Sequence, residues 1–517
     1  MYIISPLFIG HLQHRKDDEA VADYRDQLKI VKRALNIQRY YESVGGVMSW
    51  DFWNDLPIQS RPYMNDVGNF LRAEAQKQLL DEETKKAVNF FRDFDLSTLE
   101  DDYQRGAVQN LTRRYDKATK VPIALSIEIG NFCRDSQMFW QECNKNADWQ
   151  AFKPNVQKMF DLKSRVAEAI NPGAPIYDVL VNEVDVGMST DRILQLFAQL
   201  KDGIVDILGK VQNKHAGIDT APLKVQPPME VRRELAHKAA LAVGFDFEKG
   251  TSGVMMHPNC GTTGPRDARP NTNYDFDLFG TISMMHECGH GMYGYSSNDQ
   301  AVEWGMWGGL MGGFHESQSR FTENIIGKSR QFWQYLYPTF QQAVPELRQY
   351  DLDAFHKAVI KAQPSLRRVT ADELTYNLHL IIRFELEKAY FDGKIKVEQL
   401  EELWNDKYEE YMGIRPQNAR EGVLQDVHWS SGHVGYFQSY TLGDLYGAQL
   451  RAKLLGDIPD AYVHVANGNV AVMNDWLIKK VRQYGLTYQP NDLIVRATGE
   501  ELDAKYCIAY LKEKYLG

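Results

Sequence analysis

The sequence predicts a mainly α-helical protein with one small β region, on three observations. Apolar residues recur at alternating steps of three and four over long stretches, the period of one helical face. Strand-like patterning is confined to residues 253–278. No Ser/Gly/Pro-rich linker, low-complexity stretch or internal repeat divides the 517 residues, 44% of them hydrophobic, so one large core is expected.

Val21, Tyr24, Leu28, Val31 and Leu35 form the first apolar stripe, on a helix expected to end at Gly45-Gly46. Ser97-Thr-Leu-Glu100 and Thr370-Ala-Asp-Glu373 have the capping-box pattern that opens a helix. Glu373 is accordingly assigned to a cap rather than to catalysis. Gly253-Val-Met-Met-His257 and Asn273-Tyr-Asp-Phe-Asp-Leu278 are the strand candidates. A sheet there would offer an edge strand to the main chain of an extended peptide.

Thr281-Ile-Ser-Met-Met285 then makes an apolar, helix-compatible approach to His286-Glu287-Cys288-Gly289-His290. On a helix, histidines at i and i+4 share a face and can ligate one metal ion. The Glu beside the first points at the ion's open position as a general base. Cys288, two residues from His286, leaves the helix off that face.

Two histidines leave a catalytic zinc one protein ligand short. The HExxHxxGxxH solution needs a glycine and a histidine where this chain has Tyr293 and Ser296. The other solution is a Glu on a following helix. Glu303 stands directly after the loop-like Ser296-Ser-Asn-Asp299, too close for a helix to return. Glu316, in His315-Glu316-Ser317-Gln318-Ser319-Arg320, leaves room for a loop and about three helical turns, and is preferred. Gly305, Gly308, Gly309, Gly312 and Gly313 precede it at roughly helical spacing, interleaved with Trp304, Trp307, Met311 and Phe314. Each glycine costs a helix about 1 kcal/mol relative to Ala. The expectation is therefore a helix whose backbone lies against a neighbour, the segment carrying Gly289 and Gly291.

A formal net charge of −10 argues against nucleic acid as a partner. Cys133, Cys143, Cys260, Cys288 and Cys507 lack CxxC spacing and are expected to be reduced thiols of a cytoplasmic protein. The apolar start, Met1-Tyr-Ile-Ile-Ser-Pro-Leu-Phe-Ile9, has no basic n-region or small-residue cleavage site, which argues against a signal peptide. No apolar run is long enough for a membrane span.

Further segments carry a resemblance. They are His315-Glu316-Ser317-Gln318, Arg368-Val-Thr-Ala-Asp372-Glu373-Leu-Thr-Tyr376, and Gly422-Val-Leu-Gln425-Asp426-Val-His428-Trp429 with Gly435-Tyr436-Phe437. Upstream stand Met48-Ser-Trp-Asp51 and Tyr177-Asp178. In the same order these resemble motifs of the carboxypeptidase Taq family of zinc metallocarboxypeptidases, among them HESQ, IRxxADxLTY and GxxQDxHW. The family's DxRxT departs to Asp267-Ala-Arg269-Pro-Asn271, and Arg367 replaces the Ile before Arg368. The resemblance implies a large helical metallopeptidase fold with a small β-sheet beside the zinc helix and a deep substrate groove. Residues 18–517 would form a single catalytic unit behind an N-terminal extension, residues 1–17, with the N-terminal helices capping the groove. It further implies a cytoplasmic homodimer with one divalent metal per chain on His286, His290 and Glu316. That metal is expected to be Zn2+, with Co2+ or Mn2+ able to occupy the site. The implied activity is carboxypeptidase action of broad specificity on peptides with a free C-terminus, with neither nucleic acid nor membrane as partner.

In that reading the metal keeps one position for the attacking water. Glu287 takes the water's proton, which then passes to the leaving amine. His428 and Tyr436 are the candidates for stabilising the tetrahedral oxyanion. A terminal carboxylate calls for a planar, permanently charged Arg, and Arg368, ahead of Arg269, is the candidate; each could instead be engaged by a neighbouring aspartate, Asp372 or Asp267. Two rival functions are an oligopeptidase of the related zinc clan, cutting within short peptides, and a catalytically silent peptide-binding scaffold. Cleavage of C-terminally amidated peptides discriminates the first, metal content per chain the second.

Overall fold

The computed structural model describes residues 6–255, 257–274 and 279–517, and side chains from Tyr24 onward except at 279. Four helices open the chain: α1 (Pro6–Asn54), α2 (Arg61–Leu79), α3 (Glu82–Arg92) and α4 (Asp102–Lys120). They share a small core in which Leu28, Val31 and Leu35 cluster with Ala87, Val88, Phe91, Val108 and Leu111. From Tyr24 to Leu35 the predicted apolar stripe is thus a packing face, the Val21 side chain lying outside the described residues, but α1 does not stop at Gly45-Gly46. Gly46 serves close packing instead: a Cβ there would lie 3.0 Å from Thr263 Cγ2 of the sheet. The capping box expected at Ser97 also gives way. Ser97 lies in a 3-10 turn, Leu96–Thr98, and α4 opens later behind Asp101, whose carboxylate accepts from the Gln104 amide at 2.8 Å.

Helices α5 (Ile123–Asn146), α6 (Trp149–Ile170), α7 (Ile176–Asn182), α8 (Thr190–Ala216) and α9 (Met229–Ala242) lead to the sheet. Its strands are β1 (Gly253–Val254), β2 (Asn259–Gly264) and β3 (Asp267–Thr272), in the order β1-β3-β2. β3 pairs parallel with β1 (Gly253 opposite Asn271) and antiparallel with β2 (Gly261 opposite Arg269). β3 therefore ends just before the second segment expected from patterning. Asn273 and Tyr274 fall beyond it, and 275–278 lie outside the described residues. Asp267-Ala-Arg-Pro-Asn-Thr272 has poor strand propensity. It is held by what covers it: Ala268 is fully buried beneath Gly291, where a Cβ would come 3.1 Å from the Ala268 methyl.

That cover is α10 (Phe279–Tyr295), which carries the two histidines. After α11 (Asp299–Glu303) the glycine-rich stretch is not the helix its spacing suggested. Residues 304–312 are irregular, and Gly305, Gly308 and Gly312 have φ of 66°, 97° and 64°, the left-handed region that other residues avoid. Helix resumes only as α12 (Gly313–Arg320), continuing into a π-helical turn over Phe321–Gly327. Close approach to the α10 segment holds at Gly309, where a Cβ would lie 2.4 Å from the Tyr293 ring, whereas Gly313 packs against another helix, where a Cβ would lie 2.5 Å from Leu442 Cβ.

There follow α13 (Arg330–Ala343), α14 (Leu352–Val359), α15 (Glu373–Phe391), α16 (Leu400–Met412) and α17 (Phe437–Asp457), then four shorter helices ending at Leu516. α15 opens where expected, but Asp372 caps it, accepting from the Thr375 amide at 3.0 Å. Glu373 is no cap: it is buried and takes hydrogen bonds from Tyr510 and Lys514 at 2.7 and 2.6 Å. Residues of α10, α12, α15 and α17 lie in the main core. Among the described residues no helix is long and apolar enough to cross a membrane. All five cysteines are free, and Cys288 is fully buried.

Candidate metal centre

Glycine sets the spacing of the three helices that build the site. A Cβ at Gly289 of α10 would lie 2.6 Å from Gln318 O and Ser319 Cα of α12. On the opposite side, a Cβ at Gly443 of α17 would lie 2.5 Å from Cγ of Glu316. α12 is wedged between two helices that can touch its backbone because they lack side chains there. Its first turn is pinned by the buried Asp185, which accepts from the Gly313 amide at 2.6 Å and from Gln438 and Ser439 of α17 at 2.9 and 2.6 Å. Glu316 thus projects from the first turn of α12, not from the end of a long returning helix.

His286, His290 and Glu316 each bring a ligand atom to one place, all within 4.8 Å of one another. Glu316 Oε2 is 3.7 Å from His286 Nε2 and 3.4 Å from His290 Nε2. Donors about 2.0–2.1 Å from a tetrahedral ion stand about 3.3–3.4 Å apart, so the set fits a small divalent metal with little movement. Cys288 is not in this group, as its place on the helix required.

A second layer orients the imidazoles. His286 Nδ1 meets Glu323 Oε2 at 2.8 Å, which holds a proton on Nδ1 and turns Nε2 toward Glu316, the atom a metal would take in exchange for its proton. His290 Nδ1 meets His315 Nδ1 at 2.7 Å. Burial, helped by His290, pushes His315 down to about 3, so it is neutral; with its proton on Nε2 it accepts from His290 Nδ1 and leaves the other nitrogen of His290 to face a metal. Burial also lowers His286, but Glu316, Glu323 and Glu287 outweigh it and raise it to about 9. Three buried carboxylates thus create a field that favours a cation. Glu323 is held in turn by Arg320 at 3.1 Å and Lys328 at 2.6 Å. The last contact depends on the π turn. Residues five apart on an α-helix point about 140° away from each other, whereas i→i+5 bonding brings Glu323 and Lys328 to one side.

The C-terminal motifs converge on one another. Arg368 pairs with Asp426 at 2.9 Å, not with Asp372, and stacks over Tyr440. Asp426 also takes the fully buried Arg383 at 2.6 Å. His428 Nε2 lies 3.1 Å from the Tyr440 hydroxyl, and the His428 ring is 6.2 Å from that of Tyr436. Burial and Arg368 push His428 down to about 3, so it is neutral. Burial, then the nearby Glu316 carboxylate, pushes the Tyr436 hydroxyl up to about 12. Arg269 is elsewhere: on β3 it pairs with Asp267 at 2.8 Å and stacks over Trp50 of α1. Sequence reasoning missed Glu323. Its signal is a charged row, Glu316, Arg320 and Glu323, at helical steps, with no other Asp, Glu, Lys or Arg between Gly313 and Gly327.

The family model of the carboxypeptidase Taq (M32) metallopeptidases matches residues 30–515. The chain belongs to this family. It is therefore a metallocarboxypeptidase, a hydrolase of peptides. Carboxypeptidase 1 of Bacillus subtilis is 35% identical over 93% of this chain and 96% of its own length. Thermostable carboxypeptidase 1 of Thermus thermophilus is 33% identical over 93% and 97%. The crystal structure of the M32 carboxypeptidase from Deinococcus radiodurans R1 matches with a TM-score of 0.90 at 29% identity, over 95% of this chain and 99% of that one.

The wedge makes a prediction for this M32 chain. Gly443→Ala should push Glu316 away from the imidazoles and weaken metal affinity about 10- to 100-fold, the usual effect of disturbing a ligand's support. Metal titration followed by competition with a chelator reads this directly. Unchanged affinity would mean that α17 does not set the position of Glu316.

Proposed function

We propose that the chain is a zinc-dependent carboxypeptidase of broad specificity that removes C-terminal residues from peptides with a free carboxylate. The observation that carries this reading is a charge imbalance. Arg368 and Arg383 share the single carboxylate Asp426, and the adjacent His428 is neutral. This cluster keeps one net positive charge in a buried place, and a substrate's terminal carboxylate balances it. Asp426 occupies the Nε edge of Arg368 and Nη1 reaches the Tyr376 hydroxyl at 3.4 Å, leaving Nη2 for the peptide.

Two imidazoles with one carboxylate suit zinc, and Co2+ or Mn2+ could occupy the same donors. His286, His290 and Glu316 would hold the ion, which when bound polarises the scissile carbonyl and acidifies a water. Glu287 takes that water's proton and hands it to the leaving amine. The Tyr436 hydroxyl, protonated at all working pH values, donates to the developing oxyanion, with neutral His428 beside it. Residues 18–517 act as one catalytic unit, α1–α4 cap the groove, and the enzyme works as a cytoplasmic homodimer. The family resemblance and the free cysteines support these last points.

Peptides with free and amidated C-termini, tested on wild type and Arg368 variants, check the reading. Arg368→Ala should lower kcat/KM for free-acid peptides roughly 10- to 150-fold, the worth of a charge-assisted hydrogen bond of about 1.5–3 kcal/mol. Asp426 and Arg383 remain as a neutral pair, so the fold should tolerate the change. Lys should restore only part of the activity, because an ammonium lacks the bidentate fork. Amidated peptides should be poor substrates for wild type and lose little more in the variant. Undiminished cleavage of amidated peptides would overturn the carboxylate requirement.

A further inference from the structure

We infer that Glu387 is a positioning residue for the oxyanion wall, a single buried carboxylate that fixes both arms of the loop presenting His428 and Tyr436. The inference rests on the role proposed above for those two side chains. Glu387 lies on α15 and is fully buried. Its Oε1 accepts from the Trp429 indole at 2.7 Å, and its Oε2 accepts from the Gly435 amide at 2.9 Å and the Tyr177 hydroxyl at 2.8 Å. Trp429 directly follows His428, and Gly435 directly precedes Tyr436. One rigid helical side chain thus sets the separation of the two arms.

The surroundings leave neither arm another place. The Trp429 ring stands edge-on to Phe160 and Trp404, with centroids 5.6 and 6.2 Å away, so its N–H direction is fixed. Gly435 has φ of 70°, and a Cβ there would lie 2.9 Å from Leu180 Cβ and 3.2 Å from the Val181 amide of α7. The second arm is pressed between α7 and α15, and α7 supplies the third donor through Tyr177. Burial pushes the Glu387 carboxyl up to about 7, against the pull of Trp429, Gly435, Tyr177 and, more weakly, Lys163. An apolar side chain would fill the same space without burying a charge. What the carboxylate adds is direction, because it meets an indole N–H and a backbone N–H from opposite arms.

The test is a double-mutant cycle on the metal-loaded enzyme, reading kcat, KM and metal per chain. Glu387→Gln turns an amide N–H toward one of the donors and should lower kcat about 10- to 100-fold, as small misplacements near reacting atoms do. KM and metal content should stay as in wild type. Tyr177→Phe removes one donor and leaves the carboxylate to hold both arms, so it should lower kcat less, in the same direction. On a Tyr436→Phe background the loss from Glu387→Gln should shrink to a few-fold, since no hydroxyl is left to position. Wild-type kcat in both variants overturns the inference, as does an equal fold-loss with and without Tyr436, which marks a merely structural role. If Glu387→Gln does not fold, the Tyr177→Phe cycle decides by the same criterion. Tyr436→Phe and His428→Ala, measured alone, report on the oxyanion role itself. Wild-type kcat in both would end that reading and this inference with it, whereas large losses in both with a silent Glu387 overturn only the positioning.

Discussion

Glu287→Gln should keep its metal and lose about 10²–10⁴-fold in kcat, the usual contribution of a general base. The substitution conserves shape at a buried position beside His286, so packing survives. Glu287 is not one of the three clustered donors, so the ligand set survives too. What disappears is a group able to take a proton. Metal per chain by elemental analysis, with steady-state hydrolysis of a free-acid peptide, checks both halves. Near-normal turnover would remove Glu287 as the base, and metal loss would show that it helps to hold the ion.

The second large effect concerns the third ligand. Glu316→Ala should abolish stable metal binding, while Glu303→Ala should leave it intact. Glu316 is buried with its carboxylate between the two imidazoles. Glu303 has its side chain 61% exposed and pairs with Lys32 of α1. Wild type should gain thermal stability with added metal, about 2.7 kcal/mol at a concentration 100 times Kd, and Glu316→Ala should gain none. Equal metal retention in the two variants would refute the assignment.

Much of this centre was legible in one dimension because helical geometry turns spacing into direction. His286 and His290 share a face by their i and i+4 positions, and Cys288 is turned away by the same rule. Chain length and the glycine-rich approach both favour Glu316 over Glu303, although that approach is an irregular segment rather than a helix. Spacing cannot distinguish those cases: glycines needed for left-handed backbone at 305, 308 and 312 mimic the period of glycines needed for close contact at 313. β3 was hidden because its residues have little strand preference and are held by burial beneath α10. The partner of Arg368 was out of reach for a different reason. Asp372 is near in sequence but caps a helix, whereas Asp426 arrives from a distant segment.

The π-helical turn after α12 has a consequence for how such a centre can change by descent. Lys328 reaches Glu323 because the turn holds one residue more than an α-helix would. Removing a single codon within 324–327 would restore the ordinary period and leave the ammonium four residues from Glu323, still on the same face. The turn therefore absorbs one extra residue between two partners that stay in place. A one-codon deletion there should spare the carboxylate that orients His286, where substitution of Glu323 or Lys328 removes a partner outright.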